Sequence, residues 1–295
     1  MRNPQLNQRG ELTHLLTTEG LSRAILTRIL DTTALFLAST EGALKKTPLL
    51  QDKKILSLVD ELFVDKASTD VGGFESAAQS LSAEWLGIQK LELSTISSLS
   101  ERHIDIVLLR TEASGVPFFI AQQIGAHTHI VNAGDGCHAD PSSALLDMHV
   151  IRCAKNDFSN LTVVLVGDVL HSRHARSCIH ALTTLCVAEV RVVAPLTLLP
   201  EGLAQLGVRA YTHLADGLRD ADVVIMLDQE RTGIDATYIP SAREYVECYG
   251  LTEEKLACAK PDCLVLGTEG SRKASRVAGI AVRMAALSLV AGALA

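Results

Sequence analysis

Two stretches of this sequence gather the residue types that hold anions, metals or carbonyl groups. "AGDGCHADPSSALLD" (133–147) packs Gly134, Asp135, Gly136, His138 and Asp140 ahead of a helix that has Pro141 in its first turn. A glycine-rich loop at a helix start has the shape of a ligand loop, because the first turn points unpaired N–H groups outward. "VVLVGDVLHSRHARS" (163–177) runs from a buried strand through a Gly-Asp turn into a helix, with His171, Arg173, His174 and Arg176 around the turn. Two readings stay open for that turn. It is a solvated helix start, or Arg173 contacts a carboxylate or phosphate. Asp135, His138 and Asp140 are metal-ligating types, but their spacing matches no standard ligand pattern. The alternating histidines of "HTH" (127–129) point to one side of a strand, where an exposed edge is the expected setting. No metal and no cofactor are expected.

A third stretch, "FVDKASTDVGGFESAAQSLSAEWLG" (63–87), pairs a fitting shape with an unfitting charge. Phe74, Ala77, Ala78, Leu81 and Leu86 recur at helical steps and predict one amphipathic helix after a buried strand. Strand-to-helix loops of this kind are common anion sites and normally carry arginine. Here the loop offers Asp65, Asp70 and Lys66, and no arginine lies between Arg28 and Arg102.

The elements that must position these residues are legible as alternating runs. "KKILSLVDELFV", "IQKLELS", "HIDIVLLR", "HTHIVNAG", "NLTVVLVG", "EVRVVAP", "VRAYTH", "DVVIMLD" and "CLVLG" read as strands, most of them near-continuous apolar runs, with helical segments between. That pattern predicts an α/β chain of two doubly wound parallel sheets, each covered on both faces. The repeat breaks at the helix spanning 141–154, where the domain join is placed: 1–147, 148–274, and a C-terminal helix over 275–295 returning to the first domain. Residues 1–15 read as a loose arm.

Composition bounds the rest. The chain has 295 residues, 47% of them hydrophobic and 21% charged, which suits a full core. Aromatics make up 4%, so that core is aliphatic. A net charge of −7 argues against nucleic-acid binding, which needs a basic face. The seven cysteines are odd in number, scattered and never spaced CxxC, and read as reduced thiols of a cytoplasmic protein. The N-terminus is polar, without the pattern of a secretory leader. The most apolar stretch, "AGIAVRMAALSLVAGALA", is interrupted by Arg283 and reads as a buried helix rather than a membrane span. GxGxxG, Gly-x-Ser-x-Gly and P-loop signatures are missing.

The chain resembles the catalytic chain of aspartate carbamoyltransferase, within the aspartate/ornithine carbamoyltransferase superfamily. The stretches that carry the likeness are "VNAGDGCHADPSSALLDMHVIR", "VVLVGDVLHSRHARS", "DVVIMLDQER", "YGLTEEKLACAKPD" and "GIAVRMAALSLV". The resemblance implies two doubly wound α/β domains, a place in pyrimidine biosynthesis, and trimers with active sites shared between subunits. It is closest to the bacterial class whose catalytic chain associates with a dihydroorotase-like chain.

The same resemblance implies a degenerate site. Registered on Phe74-Glu75, the family's Ser-Thr-Arg-Thr-Arg is Ala67-Ser68-Thr69-Asp70-Val71 here, with Thr69 and Val71 in place of the arginines. Slid by one, it keeps Ser68-Thr69 and puts Asp70 at the first arginine, and in either register both arginines are lost. The lysine-bearing loop between the second and third strands is shorter by roughly a dozen residues, about three helical turns. Arg110 is retained, but the family's following His is Thr111. The family's His-Pro-x-Gln is Asp140-Pro141-Ser142-Ser143. Asp228 stands where an aspartate-gripping arginine belongs, and the later His-Pro-x-Pro loop is Gly267-Thr268-Glu269-Gly270. Arg110, Arg173 and Gln229 remain as substrate-binding residues by resemblance. One lost oxyanion or phosphate donor costs about 3 kcal/mol, so four or five together imply a non-catalytic homologue. The expected roles are structural or regulatory, as a homotrimer or in a mixed oligomer with an active paralogue or a dihydroorotase-like chain. The alternative is an enzyme of the family whose acids Asp140, Asp228 and Glu269 receive a different amine or amino acid.

Overall fold

The computed structural model describes residues 3–38, 46–60, 71–99, 101–227 and 241–294, with the side chains of 72, 93, 242 and 272 left aside. The first half contains α1 (Arg23–Ala38), β1 (Lys54–Val59), α2 (Gly72–Ser80), β2 (Glu84–Lys90), α3 (Leu93–Ser98), β3 (Ile106–Thr111), α4 (Val116–Ala121) and β4 (His129–Asp135). These strands form a parallel sheet in the order β2-β1-β3-β4. Then follow α5 (Pro141–Lys155), β5 (Thr162–Val166), α6 (Arg173–Thr184), β6 (Glu189–Val193), β7 (Val208–Tyr211), α7 (Leu214–Leu218), β8 (Val223–Met226), α8 (Ala242–Tyr249), α9 (Glu253–Leu256) and β9 (Leu264–Leu266). Their strands make a second parallel sheet, β7-β6-β5-β8-β9. The chain closes with α10 (Glu269–Ala274) and α11 (Arg276–Val290).

The strands are parallel for the reason their sequences suggest. β1 is buried along all but its first residue and β3 along its whole length, so helices must cover both faces of the sheet. In each sheet the strand order reverses once, between β1 and β3 and between β5 and β8. Loops at the carboxyl ends of the strands beside such a reversal form a crevice, where open α/β sheets bind ligands. α11 packs on α1, α2 and α5, with Ala281, Val282 and Met284 through Val290 buried. Among the described residues no helix is long and apolar enough to cross a membrane.

Two expectations are corrected. The helix predicted through Leu86 ends at Ser80; Ser82 adopts a left-handed backbone (φ 63°), and Trp85 and Leu86 belong to β2. A non-glycine residue in that region stops the helical hydrogen-bond ladder, and the pairing of β2 with β1 takes over. Nor is the N-terminal segment loose over its described part. Leu12, Leu15 and Leu16 are buried, and Leu15 bridges Val131 of β4. Buried Gln5 accepts the Leu16 and Thr17 N–H groups on its side-chain oxygen.

Two histidines fasten that segment. His14 Nδ1 accepts the Ile130 N–H at 2.9 Å, and His129 Nδ1 lies 2.8 Å from the Thr13 carbonyl. An accepting Nδ1 leaves no place for a second ring proton, so His14 is held neutral. Burial, then His129, lowers its pKa from 6.5 to about 4. The unfolded chain takes up this proton near pH 6.5 and the folded chain only near 4, so stability falls as pH drops through that window. Melting temperatures recorded from pH 7.5 down to 5 are expected to fall, with His14 contributing about 1 kcal/mol after allowance for its partial exposure. The slope should be shallower in His14→Gln; equal slopes would remove His14 as the cause.

Candidate functional site

Where β4, β8 and β9 end, a cavity of about 350 Å³ opens between the two sheets. Asp140, Asp147, Arg173, His174, Arg283 and Gly267 are among its lining residues. α5 delivers the first two, α6 the next two and α11 the fifth, so most of the site's side chains stand on helices rather than on loops.

Asp140 is the N-cap of α5. Its Oδ1 accepts the Ser143 N–H at 3.1 Å and its Oδ2 accepts the Ser143 hydroxyl at 2.9 Å. Its own N–H is held by the Ser177 hydroxyl of α6 at 2.9 Å. The carboxylate lies 3.9 Å from Arg173 Nε. Burial works to raise its pKa, but Arg173, His174 and the Ser143 hydrogen bonds outweigh burial and hold Asp140 below the usual carboxylate range. It is therefore an anion at neutral pH.

Arg110 and Arg173 come together. Arg110, buried at the end of β3, donates from Nη1 to the Gly134 carbonyl at 3.0 Å. A Cβ on Gly134 would stand 3.0 Å from Arg110 Nη1 and 3.1 Å from Arg173 Nε. The glycine, at φ +119°, is the space that lets both guanidinium groups approach. Ser143 lines the cavity; Val71, buried in the core beside Phe74, does not. Thr111 is buried and donates its hydroxyl to Asp60 at 2.8 Å, and Glu269 is exposed and off the cavity. Thr69, Asp228 and Gln229 lie outside the described residues.

The loop that reads as a ligand loop uses its acid on itself. Asp135, fully buried, accepts the Gly115 N–H at 2.7 Å, the Asn132 amide at 2.7 Å and the Ala139 N–H at 3.1 Å. His138 Nδ1 is 3.0 Å from its Oδ2. Asp140 faces Arg173 and Ser143, so Asp135, His138 and Asp140 do not converge on one point. His171 likewise closes a turn on Asp168, at 3.0 Å, and Arg176 is exposed.

Two features have no counterpart in the sequence reading. Arg283 lines the cavity with its guanidinium 5.1 Å from the Phe74 ring centroid, and a Cβ on Gly73 or Gly279 would touch it at 3.1 Å. Its one signal is being the single charge in the apolar stretch from Ala278 to the end of the chain. The second is a cluster of Asp147, His174 and Cys178. His174 Nε2 is 2.8 Å from Asp147 Oδ2 and 3.5 Å from Cys178 Sγ, and Sγ is 3.8 Å from the same oxygen. Burial opposes a charged His174, but Cys178 and Asp147 outweigh it and hold the imidazole pKa well above its ordinary value. Burial raises the Cys178 thiol, offset only in part by His174. His174 and Cys178 are four apart on one helix, a readable spacing; Asp147 comes from another helix, which the sequence does not announce.

No protein-family model matches the chain. Among solved structures it is similar to aspartate transcarbamoylase from Trypanosoma cruzi in complex with phosphate, at 20% identity over 98% of each chain and a TM-score of 0.78. It is also similar to the same enzyme in complex with carbamoyl aspartate and phosphate (21% identity, 94% of this chain, 95% of that one, TM-score 0.76) and with N-(phosphonacetyl)-L-aspartic acid (20%, 94% and 95%, TM-score 0.76). At about 20% identity the likeness is one of fold: this chain has the two-domain α/β fold of aspartate transcarbamoylase.

Proposed function

We propose that the chain is a non-catalytic subunit built on the aspartate transcarbamoylase scaffold, serving a structural or regulatory role in an oligomer. In this reading 1–147 is a carbamoyl-phosphate-type domain that has lost its ligand, 148–274 an aspartate-type domain, and 275–295 the helix that returns to the first. The observation that carries it is Asp140. A carboxylate held ionised 3.9 Å from Arg173 offsets the charge of the cation that a phosphate would need. A phosphate oxygen about 4 Å from that carboxylate would meet repulsion of about 4 kcal/mol per charge pair at an effective dielectric of about 20. Val71, facing the core, supplies no compensating donor.

Calorimetry with carbamoyl phosphate and with N-(phosphonacetyl)-L-aspartate is expected to register no binding, and micromolar affinity for either would overturn the non-catalytic reading. Light scattering, alone and with an active aspartate transcarbamoylase, is expected to find a trimer or a mixed assembly; a strict monomer in both would overturn the scaffold role. A second reading, an enzyme of this fold with a different amine or amino-acid substrate, draws on Asp140 and Asp147 in the cavity wall. It predicts catalysis or ligand heat with cationic amines; of the acids the sequence offers it, Asp140, Asp228 and Glu269, the last is exposed and does not line the cavity.

A further inference from the structure

We propose that Asp147, His174 and Cys178 form a binding site for a borderline-soft divalent transition metal of the zinc class, with its fourth position open to the cleft. The three ligand atoms already lie near the corners of one face of a tetrahedron. With Zn–N and Zn–O near 2.1 Å and Zn–S near 2.3 Å, tetrahedral edges come to about 3.4 Å for N to O and about 3.6 Å for sulfur to either. The observed edges are 2.8, 3.5 and 3.8 Å. Two need almost no change, and the third, a hydrogen bond, opens by about 0.6 Å.

The donor set decides the metal class. One imidazole, one thiolate and one carboxylate suit zinc, cobalt or nickel and disfavour magnesium and calcium, which take oxygen ligands. Charge agrees: a thiolate and a carboxylate neutralise a dication, and two protons leave to solvent on binding, one from the Cys178 thiol and one from the His174 imidazolium. The positions are firm. His174 and Cys178 share one face of α6, Asp147 stands on α5, and the two helices pack together. Cys178 is buried, whereas Asp147 and His174 line the cavity, so the open side faces the cleft, where water would complete the shell.

The plainer arrangement is an Asp147–His174 ion pair beside a buried thiol. It leaves Cys178 with poor bonds: the single Nε2 proton is used by Asp147, and the thiol reaches that carboxylate only at 3.8 Å. A cation at the centre satisfies all three groups at once.

The test is cobalt(II) titration of the full chain after chelator treatment. One equivalent is expected to bind, giving a thiolate-to-cobalt charge-transfer band that one equivalent of zinc displaces. Cys178→Ser should abolish the band, and His174→Gln and Asp147→Asn should each weaken binding at least ten-fold, with circular dichroism unchanged. The wild type failing to take up cobalt stoichiometrically would overturn the site. So would a charge-transfer band that persists in Cys178→Ser, because the metal would then sit on another thiol. If Cys178→Ser does not fold, Asp147→Asn decides, since that side chain is partly exposed and its loss leaves the helix packing intact; undiminished cobalt affinity there overturns the proposal.

Discussion

Val71→Arg is expected to unfold the flank of the first sheet rather than to rebuild an anion site. In the register set on Phe74-Glu75, the resemblance to aspartate carbamoyltransferase would put an arginine at position 71, and Val71→Arg tests whether that position can serve a cleft. The structure gives the side chain another direction. Val71 is the N-cap residue of α2, its carbonyl receives the Phe74 and Glu75 N–H groups at 2.8 and 3.2 Å, and its side chain is fully buried in the cluster holding Phe74, Ala77 and Ala78. An arginine there overpacks the cluster and buries an unpaired charge, at a cost of at least about 4 kcal/mol. A chain of this size should then lose roughly 10 °C of melting temperature. Thermal melts and phosphate calorimetry on Val71→Arg check this together. A melt within a few degrees of wild type, with phosphate heat appearing, would mean that residue 71 can turn to the cleft and that the site is repairable.

The same residue shows why the fold was legible and the site only in part. A parallel strand buried on both faces must be a run of apolar residues, and "ILSLV", "IVLLR", "TVVLV" and "VVIM" announce themselves wherever they stand. Nine runs separated by helical periodicity leave little choice but two covered sheets. Helix ends are less visible, because a turn such as Ser82 is set by backbone conformation rather than by polarity. The site depends on direction as well as identity. Sequence placed Arg110 and Arg173 among the retained groups, and they do converge over Gly134. The cap of Asp140 on Ser143 is a local, readable spacing, but its approach to Arg173 is not, because ion pairs between separate helices form across distances that spacing does not encode. Arg283 and Cys178 stand on helices whose apolar patterning announces packing alone, and each lends one polar group to the cleft or its wall.

Asp135→Asn should be nearly as damaging as Asp135→Ala, and both should cost about 3–5 kcal/mol. An amide usually replaces a carboxylate at small cost because shape and one oxygen survive. At this position two oxygens are needed. Oδ1 accepts the Asn132 amide and the Ala139 N–H, and Oδ2 accepts the Gly115 N–H, all within a fully buried pocket. An asparagine can turn its carbonyl to one side only, and its NH₂ group then faces another donor with no water to intervene. The bonds lost are those that hold the loops around the cleft. Asn132 in turn accepts the Gly134 N–H at 2.8 Å and donates to the Leu16 carbonyl at 2.8 Å, so the register of the glycine between Arg110 and Arg173 depends on the same carboxylate. Chemical denaturation of both variants gives the comparison, and hydrogen exchange at Gly115 and Ala139 reports the local opening. If Asp135→Asn stays within about 1 kcal/mol of wild type while Asp135→Ala does not, one oxygen suffices. The buried acid would then be replaceable at this position, and the conformation of the loop would rest on its glycines instead.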